Sequence, residues 1–303
     1  NLSAEFVPLT ELVWEIRTDG RRARIFNDIV PIDDVATIEL CADKPYVYRV
    51  AASLGVPVPE HAVFPRAGAV DAARWVHERG GVFAIKPASD TGSGLGVSTH
   101  VRTAAELLNG FALAAMYSPR IIVERMIFAE SCRLLFLGGE MIHAVRRRGV
   151  RVQGNGLSTV QQLLIAQHSR WLSADATTRL TLAQQGIELD DIPPTGRRLV
   201  VRSIPASQRN RTELRTVYDE AITEKVNPQL IDDLGRTVRA VGSRLTGIDI
   251  LTNDVTVPLR QSGGVLLEAN PTPGVHHHYV NDEQIQSNGV ATRVLAYLLE
   301  HAQ

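Results

Sequence analysis

Asp249, Glu268 and Asn270 are the residues of this chain best suited to hold a divalent metal ion. Glu268 and Asn270 stand two apart in the run Leu266-Leu-Glu-Ala-Asn-Pro-Thr-Pro-Gly274, so on a strand both side chains leave the same face. Asp249, in Gly247-Ile-Asp-Ile-Leu, can complete the set from a second short strand. Two carboxylates and an amide are hard oxygen donors suited to magnesium, which takes few protein ligands and fills its remaining positions with phosphate oxygens and water. The trio therefore predicts a nucleotide, and with it a phosphate cradle upstream.

The loop Ala88-Ser-Asp-Thr-Gly-Ser-Gly-Leu-Gly-Val97 offers such a cradle. Gly92, Gly94 and Gly96 let backbone N–H groups approach phosphate oxygens, and Ser89, Thr91 and Ser93 add hydroxyls. Glycine-rich loops also serve as plain connections. Lys86, at the end of the apolar strand Val82 to Lys86, sharpens the reading because it is placed to neutralise phosphate. Glu124 closes Ile121-Ile-Val-Glu, where its carboxylate and adjacent backbone suit an adenine edge; taken alone it fits a solvated strand end as readily. Glu130 suits ribose hydroxyls on the same terms. Arg202, in the apolar Leu199-Val-Val-Arg, is expected to be paired or aimed into a cleft, where an anionic intermediate is a fitting partner. His276, His277 and His278 cannot all face one ion from an extended chain, so one or two lining a substrate pocket is the better reading.

These groups sit in an ordinary globular composition. The 303 residues are 44% apolar and 21% charged, with a formal net charge of -1, which gives no bulk attraction to nucleic acid or an anionic membrane. Arg146-Arg147-Arg148 and Arg21-Arg22 read as solvated surface. Cys41 and Cys132 lack the spacing of a disulfide framework or a zinc site, and no apolar run is long enough to span a bilayer. A reducing cytoplasm is the expected setting. The chain starts at Asn1 rather than Met, so the reading allows for residues ahead of it.

The pattern of elements is that of an α+β fold. Residues 12–30 read as a hairpin with an Asp19-Gly20 turn. Lys44-Pro45 opens a helix closed by Gly55, followed by the strand-like Val56-Pro-Val-Pro. A helix follows Asp71, and Thr103-Ala-Ala-Glu106 is a capping box for another, with Leu107 and Phe111 in its apolar stripe. Cys132 to Leu137 and Met141 to Val145 form a hairpin around Gly138-Gly139. Residues 154–196 are polar and glycine-punctuated and read as an insertion or lid. A long helix starts at Asn227-Pro228, buries Ile231, Leu234, Val238, Val241 and Leu245, and is expected to end at Gly247. A helix carrying Val290, Val294, Leu295, Leu298 and Leu299 closes the chain, with Asn281-Asp282 as its expected cap.

Lys44, then Lys86 before a glycine loop, then Glu124 and Glu130, then Asp249, Glu268 and Asn270 form an ordered set that resembles the ATP-grasp superfamily. The likeness is strongest to the ATP-grasp portion of the cyanophycin synthetases, carried by Glu39-Leu-Cys-Ala-Asp-Lys44, Gly55-Val-Pro-Val-Pro, Val123-Glu-Arg, Arg133-Leu-Leu, Gly154-Asn-Gly156, Leu199-Val-Val-Arg202 and Glu268-Ala-Asn-Pro-Thr-Pro-Gly274. The resemblance implies two α+β subdomains clasping ATP: an N-terminal hairpin segment over 1–43, a lid subdomain over 44–120 and a metal-bearing subdomain over 121–303. It implies that Lys44 and Lys86 contact ATP phosphates, that the 89–96 loop closes over them, and that Glu124, Arg125, Met126 and Ile127 form the hinge against adenine. Glu130 would hold the ribose, Asp249, Glu268 and Asn270 would bind two Mg2+ ions, with Mn2+ an acceptable substitute, and Arg202 would stabilise an acyl-phosphate. Arg133, His276 and His277 would face the substrate.

The implied activity is ATP-dependent ligation of a carboxylate to an amine through an acyl-phosphate, on amino-acid-like or peptide substrates, with ADP and phosphate released. The competing reading is a non-catalytic nucleotide-binding regulatory module. Neither reading involves nucleic acid or a membrane, and a homo-oligomer is expected only by analogy. Two features depart from the cyanophycin synthetase pattern. No Gly-x-x-x-x-Gly-Lys-Ser/Thr loop occurs in the chain, and Ile204-Pro-Ala-Ser-Gln-Arg-Asn-Arg replaces the glycine- and hydroxyl-rich stretch after the arginine.

Overall fold

The computed structural model describes residues 4–18, 20–27, 29–89, 91, 94–168, 176–183, 185–202, 219–279 and 289–301. Two compact units divide the chain: residues 1–146 with 221–303, and residues 147–220. The class is α+β, with antiparallel strand pairing in each unit.

In the larger unit, β1 (Glu5–Pro8), β2 (Val13–Thr18) and β3 (Arg21–Phe26) form a three-stranded sheet, the expected hairpin with one strand added. Gly20, at φ +80°, turns β2 into β3. Helix α1 (Val35–Ala42) follows, and α2 (Lys44–Ser53) starts where Asp43 accepts a hydrogen bond from the Tyr46 amide. Gly55, at φ +75°, carries the chain out of α2 as expected.

The strand expected from Val56 starts instead at His61, as β4 (His61–Pro65). Pro57 and Pro59 lack N–H groups, so this stretch cannot form a full ladder. It is pinned through carbonyls: Pro57 accepts from Leu266 N and Glu60 from Arg125 N.

Helix α3 (Ala69–Arg79), β5 (Phe83–Pro87), β6 (Ser98–Val101), α4 (Ala104–Ala115) and β7 (Arg120–Arg125) complete a sheet of order β4-β7-β5-β6. Phe83, Ile85, Leu107, Phe111, Ile121 and Val123 pack its helix-covered face. The capping box on α4 is present in both directions, Glu106 N to Thr103 and Thr103 N to Glu106. Thr103→Ala is expected to lower stability by about 1 kcal/mol, and a urea titration with an unchanged midpoint would contradict that role.

A five-stranded sheet of order β12-β9-β8-β13-β14 forms the rest of the unit. Its strands are β8 (Ser131–Leu137), β9 (Glu140–Arg147), β12 (Glu220–Ala221), β13 (Leu245–Leu251) and β14 (Val265–Asn270). Leu134, Phe136, Ile248, Ile250 and Leu266 pack with Val47 and Tyr48 of α2 and with Leu230, Leu234 and Val238 of α7 (Pro228–Val241). Helix α7 stops earlier than the sequence suggests. Gly242, at φ +90°, is its left-handed cap, and Leu245 and Gly247 already belong to β13. Ile231 lies only partly buried. The short α8 (Leu259–Ser262) joins β13 to β14, and α9 (Val290–His301) packs Val290, Val294, Leu298 and Leu299 against Ile16 and Ala23. The cap expected at Asn281-Asp282 lies outside the described residues.

The smaller unit pairs β10 (Val150–Gln153) with β11 (Arg198–Arg202) and adds α5 (Val160–His168) and α6 (Ala176–Ala183). The stretch read as an insertion falls here, around its own core of Val150, Val152, Leu163, Leu164, Leu182 and Leu199. The Gln185 amide ties it internally, donating to Thr181 O and Val200 O while accepting from Val200 N. Among the described residues no helix is long and apolar enough to cross a membrane.

Candidate functional site

Antiparallel pairing aligns a row of charged residues across three strands. Arg133 of β8 stands opposite Asp249 of β13, which stands opposite Glu268 of β14; Asn270 stands opposite Gly247. The register between β13 and β14 slips by one residue after Asp249, so Ile250 faces Leu266 and Leu267 has no partner. This β-bulge has a chemical effect. In an unbroken strand Leu266 and Glu268 would share a face. The extra residue lets Leu266 enter the apolar core while Glu268 joins Asp249 on the other face.

Asp249 is buried and accepts from Arg133 Nε and Nη2, both at 2.7 Å. Asn270 Nδ2 stands 3.1 Å from Gly247 O and 3.4 Å from Asp249 Oδ2. Glu268 Oε1 lies 3.7 Å from Nζ of Lys44, itself buried in the first turn of α2. The three expected ligands are thus adjacent. Among the described residues no three His, Cys, Asp or Glu side chains cluster as a metal site; this trio has two carboxylates and an amide. That donor set is all hard oxygen, which fits magnesium rather than zinc or copper.

Lys86 on β5 and Glu124 on β7 are both buried and form a direct ion pair. A charged lysine and carboxylate keep their charges inside a fold only as partners, since each alone costs several kcal/mol of desolvation (about 3–5 kcal/mol when one partner of such a pair is removed). Glu124 is therefore not the exposed strand end that its sequence context allows. Its other oxygen, Oε2, lies 3.0 Å from the hydroxyl of Tyr48, which is also 2.9 Å from Leu267 O at the bulge. Tyr48 lies one helical turn after Lys44, so α2 presents both to β14. Burial, and then the Glu124 charge, push the Tyr48 phenol well above its usual pKa, so it stays a donor.

Tyr48 is the site residue that sequence reasoning missed. An aromatic on the apolar face of a short helix looks like core, and only the register of β14 brings a carbonyl to its hydroxyl. Tyr48→Phe leaves a buried Glu124 oxygen short of a donor and is expected to destabilise the fold by about 1–3 kcal/mol. Denaturant unfolding unchanged to within about 0.5 kcal/mol would remove this assignment.

The remaining expected residues are distributed as follows. In the glycine loop Ala88 O accepts from Lys44 N at 3.0 Å, which joins the loop to the start of α2. A Cβ at Gly96, where φ is +74°, would stand 2.8 Å from Pro87 and Tyr117 side-chain atoms, so this position is closed to other residues. Ser89, Thr91 and Gly94 lie in the described part of the loop; Gly92 and Ser93 lie outside the described residues. Arg125 is paired, with Nε 2.7 Å from Glu60 and a second bond to Gly80 O. Met126 N donates to Val82 O, and Ile127 follows it half-buried. Glu130 pairs with Arg146 at 3.1 Å. The Arg202 side chain lies outside the described residues.

The three histidines lie on a short 3-10 helix, Val275–His278, rather than on the extended chain expected from sequence. His276 is exposed, while His277 and His278 are buried. His278, not singled out from sequence, meets His143 of β9 with Nδ1 atoms 3.0 Å apart, and burial lowers the His143 pKa. Burial also pushes the Cys132 thiol up to about 11, so it is a poor nucleophile.

No family model matches the chain. It is 30% identical over 279 residues to cyanophycin synthetase of Trichormus variabilis, an alignment covering 88% of this chain and 30% of that protein. The chain thus spans about a third of the length of the curated relatives it matches. Among solved structures, a bifunctional glutathione synthetase from Pasteurella multocida superposes with a TM-score of 0.57 at 16% identity, covering 97% of this chain and 42% of that one. The VanG D-Ala:D-Ser ligase from Enterococcus faecalis gives 0.52 at 14% identity, covering 88% and 64%.

Proposed function

We propose, for a chain that belongs to the ATP-grasp superfamily, the ATP-dependent ligation of a carboxylate to an amine, with amino-acid-like or peptide substrates. The observation that carries this reading is the meeting of Lys44 with Glu268 in a row that also holds Asp249 and Asn270. A phosphate-seeking cation and a hard-oxygen metal trio in direct contact suit phosphoryl transfer, where positioning and charge neutralisation supply most of the catalysis.

In this reading Asp249, Glu268 and Asn270 hold magnesium, which would neutralise phosphate charge when bound. Lys44 and Lys86 give their ammonium groups to phosphate oxygens, over which the 89–96 loop would close. Glu124 holds Lys86 in place through their ion pair. The hinge runs through Glu124 to Ile127, where backbone groups suit adenine, and Glu130 suits the ribose. Arg202 stabilises the anionic acyl-phosphate. A substrate carboxylate oxygen attacks the γ-phosphorus and ADP leaves; the amine nitrogen then attacks the acyl carbon, phosphate leaves and the amine proton is released.

The test is an assay of ADP and phosphate release with ATP, magnesium and a panel of amino acids and dipeptides. Release that depends on pairing a carboxylate with an amine is expected. Tight ATP binding with no turnover across the panel would favour the regulatory module instead.

A further inference from the structure

Each carboxylate of the metal trio faces a cation belonging to the protein. Glu268 faces Lys44, and Asp249 faces Arg133 through two hydrogen bonds of 2.7 Å, with both partners about 5% exposed. The Arg133 fork follows from the fold. It stands directly across the ladder from Asp249, and its stem runs over Gly247, where a Cβ would come within 3.0 Å of Pro273 Cβ and 3.4 Å of Arg133 Cδ. A side chain at position 247 would therefore crowd the guanidinium's path. A planar fork that takes both carboxylate oxygens is the geometry arginine provides and lysine does not.

We propose that Arg133 is an internal counter-cation for Asp249, which fixes that carboxylate and keeps free divalent ions out of the trio until nucleotide phosphates arrive. This rests on the reading of Asp249, Glu268 and Asn270 as the metal ligands. A bare ion entering the row meets a buried positive charge and a carboxylate whose two oxygens already accept charge-assisted bonds. Nucleotide changes the balance. Its phosphates draw Lys44 and Lys86, releasing Glu268, and add negative charge and oxygen ligands of their own. Arg133 is thus a positioning residue acting through Asp249 rather than a substrate contact. Metal binding is conditional on nucleotide.

The experiment uses Mn2+, with and without a non-hydrolysable ATP analogue, read by the loss of its free-ion paramagnetic resonance signal beyond that in a protein-free blank holding the same analogue, which binds Mn2+ itself, and by the thermal unfolding midpoint. Wild type is expected to take up Mn2+ only with the analogue. Arg133→Gln keeps a donor to Asp249 without the charge. It should bind Mn2+ alone on the order of tenfold to a hundredfold tighter than wild type, a change of the size seen when partners of metal ligands are altered, and gain a Mn2+-dependent rise in midpoint. Misfolding cannot produce a gain in binding. Arg133→Lys, which keeps the charge but not the fork, should show a gain well below that of Arg133→Gln, and Asp249→Asn added to Arg133→Gln should remove the gain. Tight Mn2+ binding by nucleotide-free wild type would overturn the proposal whatever the variants do, as would the same gain in Arg133→Lys or no gain in a folded Arg133→Gln. Wild type that takes up no Mn2+ even with the analogue would defeat the reading of the metal trio itself, and this inference with it.

Discussion

Glu268→Gln is expected to remove metal-dependent ATP turnover, lowering kcat on the order of a thousandfold, as befits loss of a group that neutralises charge developing in the transition state. The substitution keeps shape and removes one negative charge. Glu268 is the most exposed of the buried-row carboxylates, with 27% of its side chain accessible, so the fold should tolerate the change. Coupled measurement of ADP release across a magnesium titration checks this. Turnover near the wild-type level in a folded Glu268→Gln protein would strip Glu268 of its role and leave the row as a structural ion-pair cluster.

The second large effect belongs to the Lys86–Glu124 pair, where stability and function can be separated. Lys86→Met deletes a phosphate-binding cation and leaves Glu124 charged and buried against Tyr48 alone. Breaking a buried pair from one side costs roughly 3–5 kcal/mol, and the thermal midpoint should fall on the order of 10 °C. Adding Glu124→Gln removes the orphaned charge while keeping an oxygen for the Tyr48 hydroxyl. The double variant is expected to regain most of the lost stability but none of the turnover. Recovery of activity along with stability would mean that Lys86 serves only the fold.

The placement of the candidate residues was legible where local spacing decides it. Glu268 and Asn270 share a face because a strand alternates, and Lys86 could be placed because an apolar strand runs into a glycine loop. The capping box at Thr103 and the Asn227 cap with Pro228 at the next position were equally local. The errors came from signals with more than one physical use. Gly242 and Gly247 both follow an apolar helical stripe, and only the first adopts a left-handed conformation; the second provides bare backbone beneath Arg133. Val56-Pro-Val-Pro has the composition of a strand, but its prolines lack the donors that a ladder needs.

What sequence could not disclose was partnership across long separations. Glu124 looked like a solvated strand end because its partners, Lys86 and Tyr48, lie 38 and 76 residues away. Arg133 and Asp249 are 116 residues apart and meet only because β8 and β13 align in one register. A single chain carries no signal for that register except through hydrophobic alternation. In β14 that alternation is broken by the bulge itself.

The unpaired Leu267 sets the phase of β14. Ahead of it the strand keeps step with the apolar core, behind it with the charged row, and the Tyr48 hydroxyl holds the carbonyl at the join. Straightening the strand at its full length would lose the offset, turning Glu268 toward the leucines of α7 or a leucine toward Asp249, whereas removing Leu267 would leave Leu266 and Glu268 as neighbours on opposite faces, still across from Ile250 and Asp249. The row thus depends on Leu267 being set aside rather than on its presence, and a deletion confined to that residue is the change of length the strand should survive.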